Sequence, residues 1–143
     1  MRTIKFRGKR IDNGEWVYGD LVIENGFKNQ PQKYLIRTYT QRGLVYCEVN
    51  SDTIGQFTGL YDKNRKEIYE GDIIQGEYNH KHLIRYAEDE ACFTATLVEY
   101  VGNGFAERWN TGDVTQKWID EFSKVVIGDI HDNKELLTQT IKQ

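Results

Sequence analysis

Apolar and polar residues alternate along most of this chain in short runs, each broken after a few positions by Gly, Asn or Asp. A period of two places successive side chains on opposite faces of a strand. From Thr3 to Gly8, Ile4 and Phe6 fall on one face and Lys5 and Arg7 on the other. Asp12-Asn13-Gly14 closes the run with residues that accept positive φ. Trp16 to Ile23 predicts a second strand. Trp16, Tyr18 and Val22 share one face and Val17, Leu21 and Ile23 the other, so part of it is apolar on both sides. Asn25-Gly26 predicts a hairpin-type turn, and the polar stretch Phe27 to Gln32, with Pro31, predicts a loop. Further strands are expected at Tyr34 to Tyr39, Leu44 to Val49, Ile54 to Leu60, Ile68-Tyr69, Ile73 to Tyr78, His82 to Tyr86, Ala91 to Tyr100 and Phe105 to Trp109. Gly102-Asn103-Gly104 reads as a hairpin turn between the last two, not as a phosphate cradle leading into a helix.

Near Asp113 the period changes. Trp118, Ile119 and Phe122 recur at helical spacing, and Asp113 with Gln116 has the form of a capping box, so a helix is expected over Val114 to Phe122. A last strand is expected at Lys124 to Ile130, and Asn133 is placed to cap a short terminal helix carrying Leu136 and Leu137. Many strands with short turns and little helix between them argue for antiparallel pairing. The expected fold is therefore mainly β: a small barrel or sandwich, an SH3-like barrel among the options, with one or two short helices near the C-terminus. One domain over 1–143 is expected, divided at most into an N-terminal β subunit (1–30) and a main β-barrel (33–137), with a tail at 138–143. The Pro31 loop is the best boundary the sequence offers.

Composition adjusts this picture in two ways. The 9 Tyr, 6 Phe and 3 Trp compensate for a low apolar content, because each buries a large area. The net charge of -3 provides no global positive field toward phosphate backbones. No stretch approaches the roughly 20 apolar residues of a membrane span, and the N-terminus has no apolar signal region. A cytoplasmic protein with two reduced thiols, Cys47 and Cys92, is expected. Each is expected to be a buried small hydrophobe, and neither has a close Cys partner for zinc.

Candidate chemistry is sparse. His80 and His82 form an H-x-H pair around Lys81, which reads as a solvated turn in preference to a metal site lacking a third ligand; His131 stands alone. Glu70 with Asp72, the run Glu88-Asp89-Glu90, and Asp120 with Glu121 are acidic pairs, but no nucleophile, base and orienting group come together. Asp72 is expected to bond main-chain amides at its corner. No cofactor and no enzyme activity are expected. The basic stripe Lys5, Arg7, Lys9 and Arg10 beside Trp16 and Tyr18 is the sharper feature. A basic groove with aromatic platforms binds single-stranded nucleic acid. The plainer reading is that Phe6 and Trp16 are core and the basic residues solvate an edge strand.

Three stretches resemble the YopX family of phage and prophage proteins. They are Lys5-Phe6-Arg7-Gly8-Lys9-Arg10 with Gly14-Glu15-Trp16-Val17-Tyr18-Gly19-Asp20-Leu21; Thr53-Ile54-Gly55-Gln56-Phe57-Thr58-Gly59-Leu60 through Asp62-Lys63-Asn64 to Glu67-Ile68-Tyr69-Glu70-Gly71-Asp72-Ile73-Ile74; and Val126-Ile127-Gly128-Asp129-Ile130-His131-Asp132-Asn133 with Glu135-Leu136-Leu137. The resemblance implies a β-rich fold and a phage or prophage origin, and brings no activity or site residues with it. Independently of it, Gly55, Gln56, Gly59, Gly71, Asp72 and Gly128 read as a structural motif, glycines in strands marking bulges, bends or close backbone approach. Two positions depart from the family pattern. Arg65 stands where such turns carry Gly, so a turn of another type or length is expected, and Lys134 replaces a Pro that would start a helix. The expected role is that of an accessory protein acting through protein contacts, including contacts with itself. Single-stranded nucleic-acid binding is the alternative and an enzyme the third reading.

Overall fold

The computed structural model describes residues 1–98 and 110–137, with the main chain alone at 110–113. The strand expected at Phe105 to Trp109, the hairpin turn before it and the tail at 138–143 lie outside the described residues. The chain divides into two compact units, Met1–Phe57 and Thr58–Gln143. The Pro31 loop is not that division, because the strands on either side of it pair with each other from Asp20↔Arg37 to Glu24↔Lys33. The fold is mainly β. Its strands form two open antiparallel sheets, not one closed barrel.

The first unit contains β1 (Phe6–Lys9), β2 (Trp16–Glu24), β3 (Lys33–Thr40), β4 (Gly43–Glu48), a single 3-10 turn (Ser51–Thr53) and the start of β5 (Gly55–Tyr61). The strands neighbour one another in the order β4-β3-β2-β1-β5. An isolated bridge, Arg10↔Val49, ties the far end of β4 back to β1. Because β1 pairs with β2 on one side and β5 on the other, its lysines do not solvate an edge. The outer strand is β4. One face of this sheet is apolar, with Ile36, Cys47 and Val49 buried. The ladder places Trp16, Tyr18, Arg37 and Tyr46 on the other.

The second unit takes β5 onward through β6 (Glu67–Tyr69), β7 (Asp72–Gln75), β8 (Lys81–Ala87), β9 (Cys92–Leu97), β10 (Asn110–Asp113), a helix α1 (Gln116–Glu121) and β11 (Val125–Asp129). Its main sheet runs β10-β9-β8-β7-β11. The doublets Ile73-Ile74 and Leu83-Ile84 are apolar at consecutive positions because both faces of this sheet are covered. Ile74, Ile84 and Ala95 pack with Ile68, Ile119 and Trp118 on the α1 side. Ile73, Leu83 and Val98 pack with Ile127, Ile130, Leu136 and Leu137 on the other.

The helix starts later than its periodicity suggests. Thr115, not Asp113, is the cap: its hydroxyl accepts from the Trp118 N–H at 3.1 Å. Gln116 is drawn away from a capping box. It donates to the Tyr61 carbonyl (2.8 Å) and accepts from the Tyr61 N–H (3.0 Å). The terminal helix is a single 3-10 turn, Lys134–Leu137, which forms without a proline. No helix of the described residues is long and apolar enough to cross a membrane.

Candidate binding surface

The register of β1 against β2 sets Arg7 opposite Tyr18 and Lys9 opposite Trp16. Residues directly opposite in an antiparallel pair project to the same face. Four of the six stripe residues therefore share one side of the first sheet. The Arg7 guanidinium stacks 4.4 Å from the Trp16 ring centre and the Lys9 ammonium 5.3 Å from it. Lys5 joins the same side, 5.6 Å from the Phe57 ring centre. Such stacks hold a cation at the electron-rich ring face. Arg7 is only 5% exposed, under a half-buried Trp16. Arg10 leaves the stripe: its Nε and Nη2 donate to the Asp12 carboxylate at 2.9 and 2.6 Å. That pairing holds the Asp12 carboxyl below its usual range and raises Arg10. The stripe exists as a surface, but its arginines serve the protein itself.

The next two strands extend this face with residues that sequence reasoning passed over. Exposure is 42% for Tyr18, 80% for Tyr39, 43% for Leu44 and 52% for Tyr46. Tyr39 lies opposite Leu44 and Arg37 opposite Tyr46. Arg37 donates to Asp20 Oδ2 at 2.8 and 3.1 Å and bonds Tyr46, and both contacts raise its pKa. The missed signal was the i, i+2 spacing of Arg37 with Tyr39 and of Leu44 with Tyr46, which marks one outward face in each strand. A neighbouring open cleft of about 530 Å³ is lined by Lys9, Arg10, Lys33, Tyr34, Asn50 and Ser51, among others.

The motif residues shape backbone. Gly55 lies opposite Arg7 and Gln56 opposite Phe6. Gly59 and Gly71 have φ of +85° and +92°. The Gly71 N–H donates to the Ile84 carbonyl and its own carbonyl accepts from Ile130, linking β8 to the end of β11. Buried Asp72 accepts from the Tyr69 N–H at 2.8 Å. At Gly128 the β7–β11 ladder shifts register, and a Cβ would fall 2.5 Å from Asn133 Oδ1. Two more aspartates, given no role by the sequence, behave alike. Asp62 accepts from the N–H groups of Asn64, Lys66 and Val126 at 2.8–3.0 Å, and Asp129 from those of His131 and Asp132 at 2.8 Å.

A family model described as YopX protein matches residues 5–138. The chain belongs to the YopX family. Among solved structures it is similar to one described as the crystal structure of protein EF1440 from Enterococcus faecalis, at 26% identity and a TM-score of 0.56, covering 96% of this chain and 99% of that one. No curated protein matches. The departure from the YopX pattern at Arg65 is met by the residue's own backbone. Arg65 itself adopts φ +68°, its N–H bonded to the Asp62 carbonyl at 3.0 Å.

The histidine pair separates. His80 is an exposed turn residue, but His82 is not solvated: it is 5% exposed in β8, opposite Ile74 and Leu97. Strand alternation, not the turn, decides its position. Its ring meets Trp118 edge-on at 5.1 Å, and among the described residues its Nδ1 has no hydrogen-bond partner. Burial first, then the charge of Lys124, pushes its pKa down to about 4. Lys124, itself buried and lowered by burial, stands 4.7 Å from the Trp118 ring centre. Of the acidic pairs, Glu88 to Glu90 form an exposed turn, and Asp120 and Glu121 bond neighbours within α1. Cys47 is buried in β4 and Cys92 half-buried in β9; both are thiols. Among the described residues no three His, Cys, Asp or Glu side chains converge as metal ligands.

Proposed function

We propose that this YopX-family chain is a non-enzymatic protein-binding β module, and that it works through the outward face of its N-terminal sheet. The observation that carries this reading is the exposed row of Tyr18, Tyr39, Leu44 and Tyr46 on one face of an antiparallel sheet. Tyrosines supply large amphipathic contact area and are enriched at protein interfaces. The charge pattern favours protein over nucleic acid as the partner. Arg7 is buried against Trp16, Arg10 is paired with Asp12 and Arg37 with Asp20. Phosphate contacts would have to compete with these pairings in a chain of net charge -3. The buried Asp62, Asp72 and Asp129 bond main-chain amides, which supports a structural role for them over an acid–base one. A cytoplasmic accessory role in phage or prophage biology accompanies the family resemblance.

The test is a photo-crosslinking residue placed at Tyr39 in cells that express the chain. A nuclease-resistant adduct heavier than the chain alone is expected. A nuclease-sensitive adduct would favour single-stranded nucleic acid, and the lack of any adduct would remove the proposal.

A further inference from the structure

Hydrogen-bonding polarity along β4 identifies the face's open flank. The Val49 N–H bonds inward to the Tyr34 carbonyl at 2.9 Å. Main-chain groups alternate along an antiparallel strand. Cys47, Val45 and Gly43 therefore turn their main chain toward β3, and Glu48, Tyr46 and Leu44 turn theirs outward. The Glu48 carbonyl accepts from the Ile11 N–H at 3.0 Å, which closes that end. Among the described residues nothing bonds the outward groups of Leu44 and Tyr46. Edge strands are ordinarily protected by lysine, proline or a bulge. Gly43–Glu48 has none of these: its sequence is GLVYCE and it pairs with β3 without a register shift.

We infer that this edge is built to pair with β4 of a second copy of the chain, antiparallel across a two-fold axis. The inference rests on the protein-binding reading and names its partner. With Leu44 and Tyr46 open at both N–H and carbonyl, one register satisfies both: Leu44 opposite the partner's Tyr46 and Tyr46 opposite the partner's Leu44. It forms about four main-chain hydrogen bonds. It sets Val45 against the partner's Val45 on the apolar-core side, and Leu44 beside the partner's Tyr46 on the outward side. Continued one residue past β4 into the turn before it, the same register brings Arg42 near the partner's Glu48 at both ends. Both are exposed, and they are the charged residues that flank the uncharged run 43–47. A strand that is charge-complementary to its own reversed copy fits an isologous interface, in which one patch meets itself.

The experiment is sedimentation equilibrium of the full chain over micromolar to sub-millimolar concentrations. A monomer–dimer equilibrium is expected. Arg42→Glu alone, or Glu48→Arg alone, replaces two attractions by two repulsions and should raise the dimer Kd about tenfold. An equimolar mixture of the two variants restores opposite charges at both ends and should return the wild-type Kd. Tyr46→Pro removes an outward N–H together with the side chain that bonds Arg37, keeps every inward main-chain bond of β4, and should leave a monomer whose far-ultraviolet spectrum is unchanged. A wild-type chain that stays monomeric throughout would overturn the inference, as would a dimer indifferent to the charge reversals and their mixture. A monomer that still crosslinks to another protein at Tyr39 would sink this pairing and leave the wider reading standing. Absence of both dimer and adduct would sink the two together.

Discussion

The two sheets of this protein treat their faces differently. The sheet of the second unit is covered on both sides, by α1 on one and by the Lys134–Leu137 turn on the other. The sheet of the first unit buries one face and leaves tyrosines on the other. Polar groups follow that division only in part. In the second unit they are buried and consumed internally: Asp62, Asp72 and Asp129 on amides, Lys124 on Trp118, and His82 in a neutral state. In the first, Arg7, Arg10 and Arg37 are stacked or paired as well, and it is the tyrosines of the outward face that lie where a partner can use them. The contrast separates a unit whose sequence is occupied with holding itself together from one that has surface to spare.

Substitutions can break or sharpen that contrast. The largest effect is expected at Ile84, fully buried between β7 and β9. Ile84→Ala should cost about 4 kcal/mol, measured by urea denaturation, because it removes buried methyl groups and leaves a cavity. A cost below about 1 kcal/mol would mean the second core is loosely packed and the contrast is false. Asp62→Ala removes one acceptor for three main-chain N–H groups and should cost about 3 kcal/mol.

His82 gives the contrast a pH signature. Its folded pKa lies near 4, below the ordinary 6.5 of the unfolded chain. Between those values the unfolded state takes up a proton that the folded state refuses. The stability His82 allows is complete above pH 6.5 and is lost as pH falls toward 4, by about 3 kcal/mol in all. His82→Phe keeps an aromatic edge on Trp118 and should remove that part of the slope. An unchanged slope would place the titration elsewhere.

Arg65→Gly relieves a left-handed residue that carries a Cβ, and should raise stability by about 1 kcal/mol. The smallest effect belongs to the outward face. Tyr39→Ser with Tyr46→Ser should change stability by no more than about 0.5 kcal/mol, since neither side chain is part of the buried core. A cost comparable to that at Ile84 would turn these tyrosines from surface into scaffold.

Strand periodicity made most of the fold legible. β2, β3, β4 and β8 fall within a residue or so of their apolar alternation, because each has at least one apolar face to declare itself. What escaped depended on tertiary context. Gln116 was committed to Tyr61, fifty-five residues away in sequence, so its capping box dissolved. The division into units falls inside β5, where no loop composition marks it. His82 looked like a turn residue because its neighbours Asn79 to Lys81 are polar; its own alternation with Ile84 pointed inward. The basic stripe was visible in the sequence. That its arginines are stacked or paired was not, because Trp16 reaches Arg7 only once β1 and β2 are in register, and Asp12 reaches Arg10 only through the turn after β1. The outward tyrosines were countable but could not be assigned to a face before β3 and β4 were aligned.

The most direct measurement is hydroxyl-radical footprinting of tyrosines, comparing the dilute purified chain with the same chain concentrated and in extract from its expressing cells. Tyr39 and Tyr46 in the first unit, and Tyr78 and Tyr86 in the second, all start exposed. Oxidation of Tyr39 and Tyr46 is predicted to slow, with Tyr78 and Tyr86 unchanged. Protection of Tyr78 and Tyr86 instead, or of none of the four, would contradict the assignment of the working surface to the N-terminal sheet.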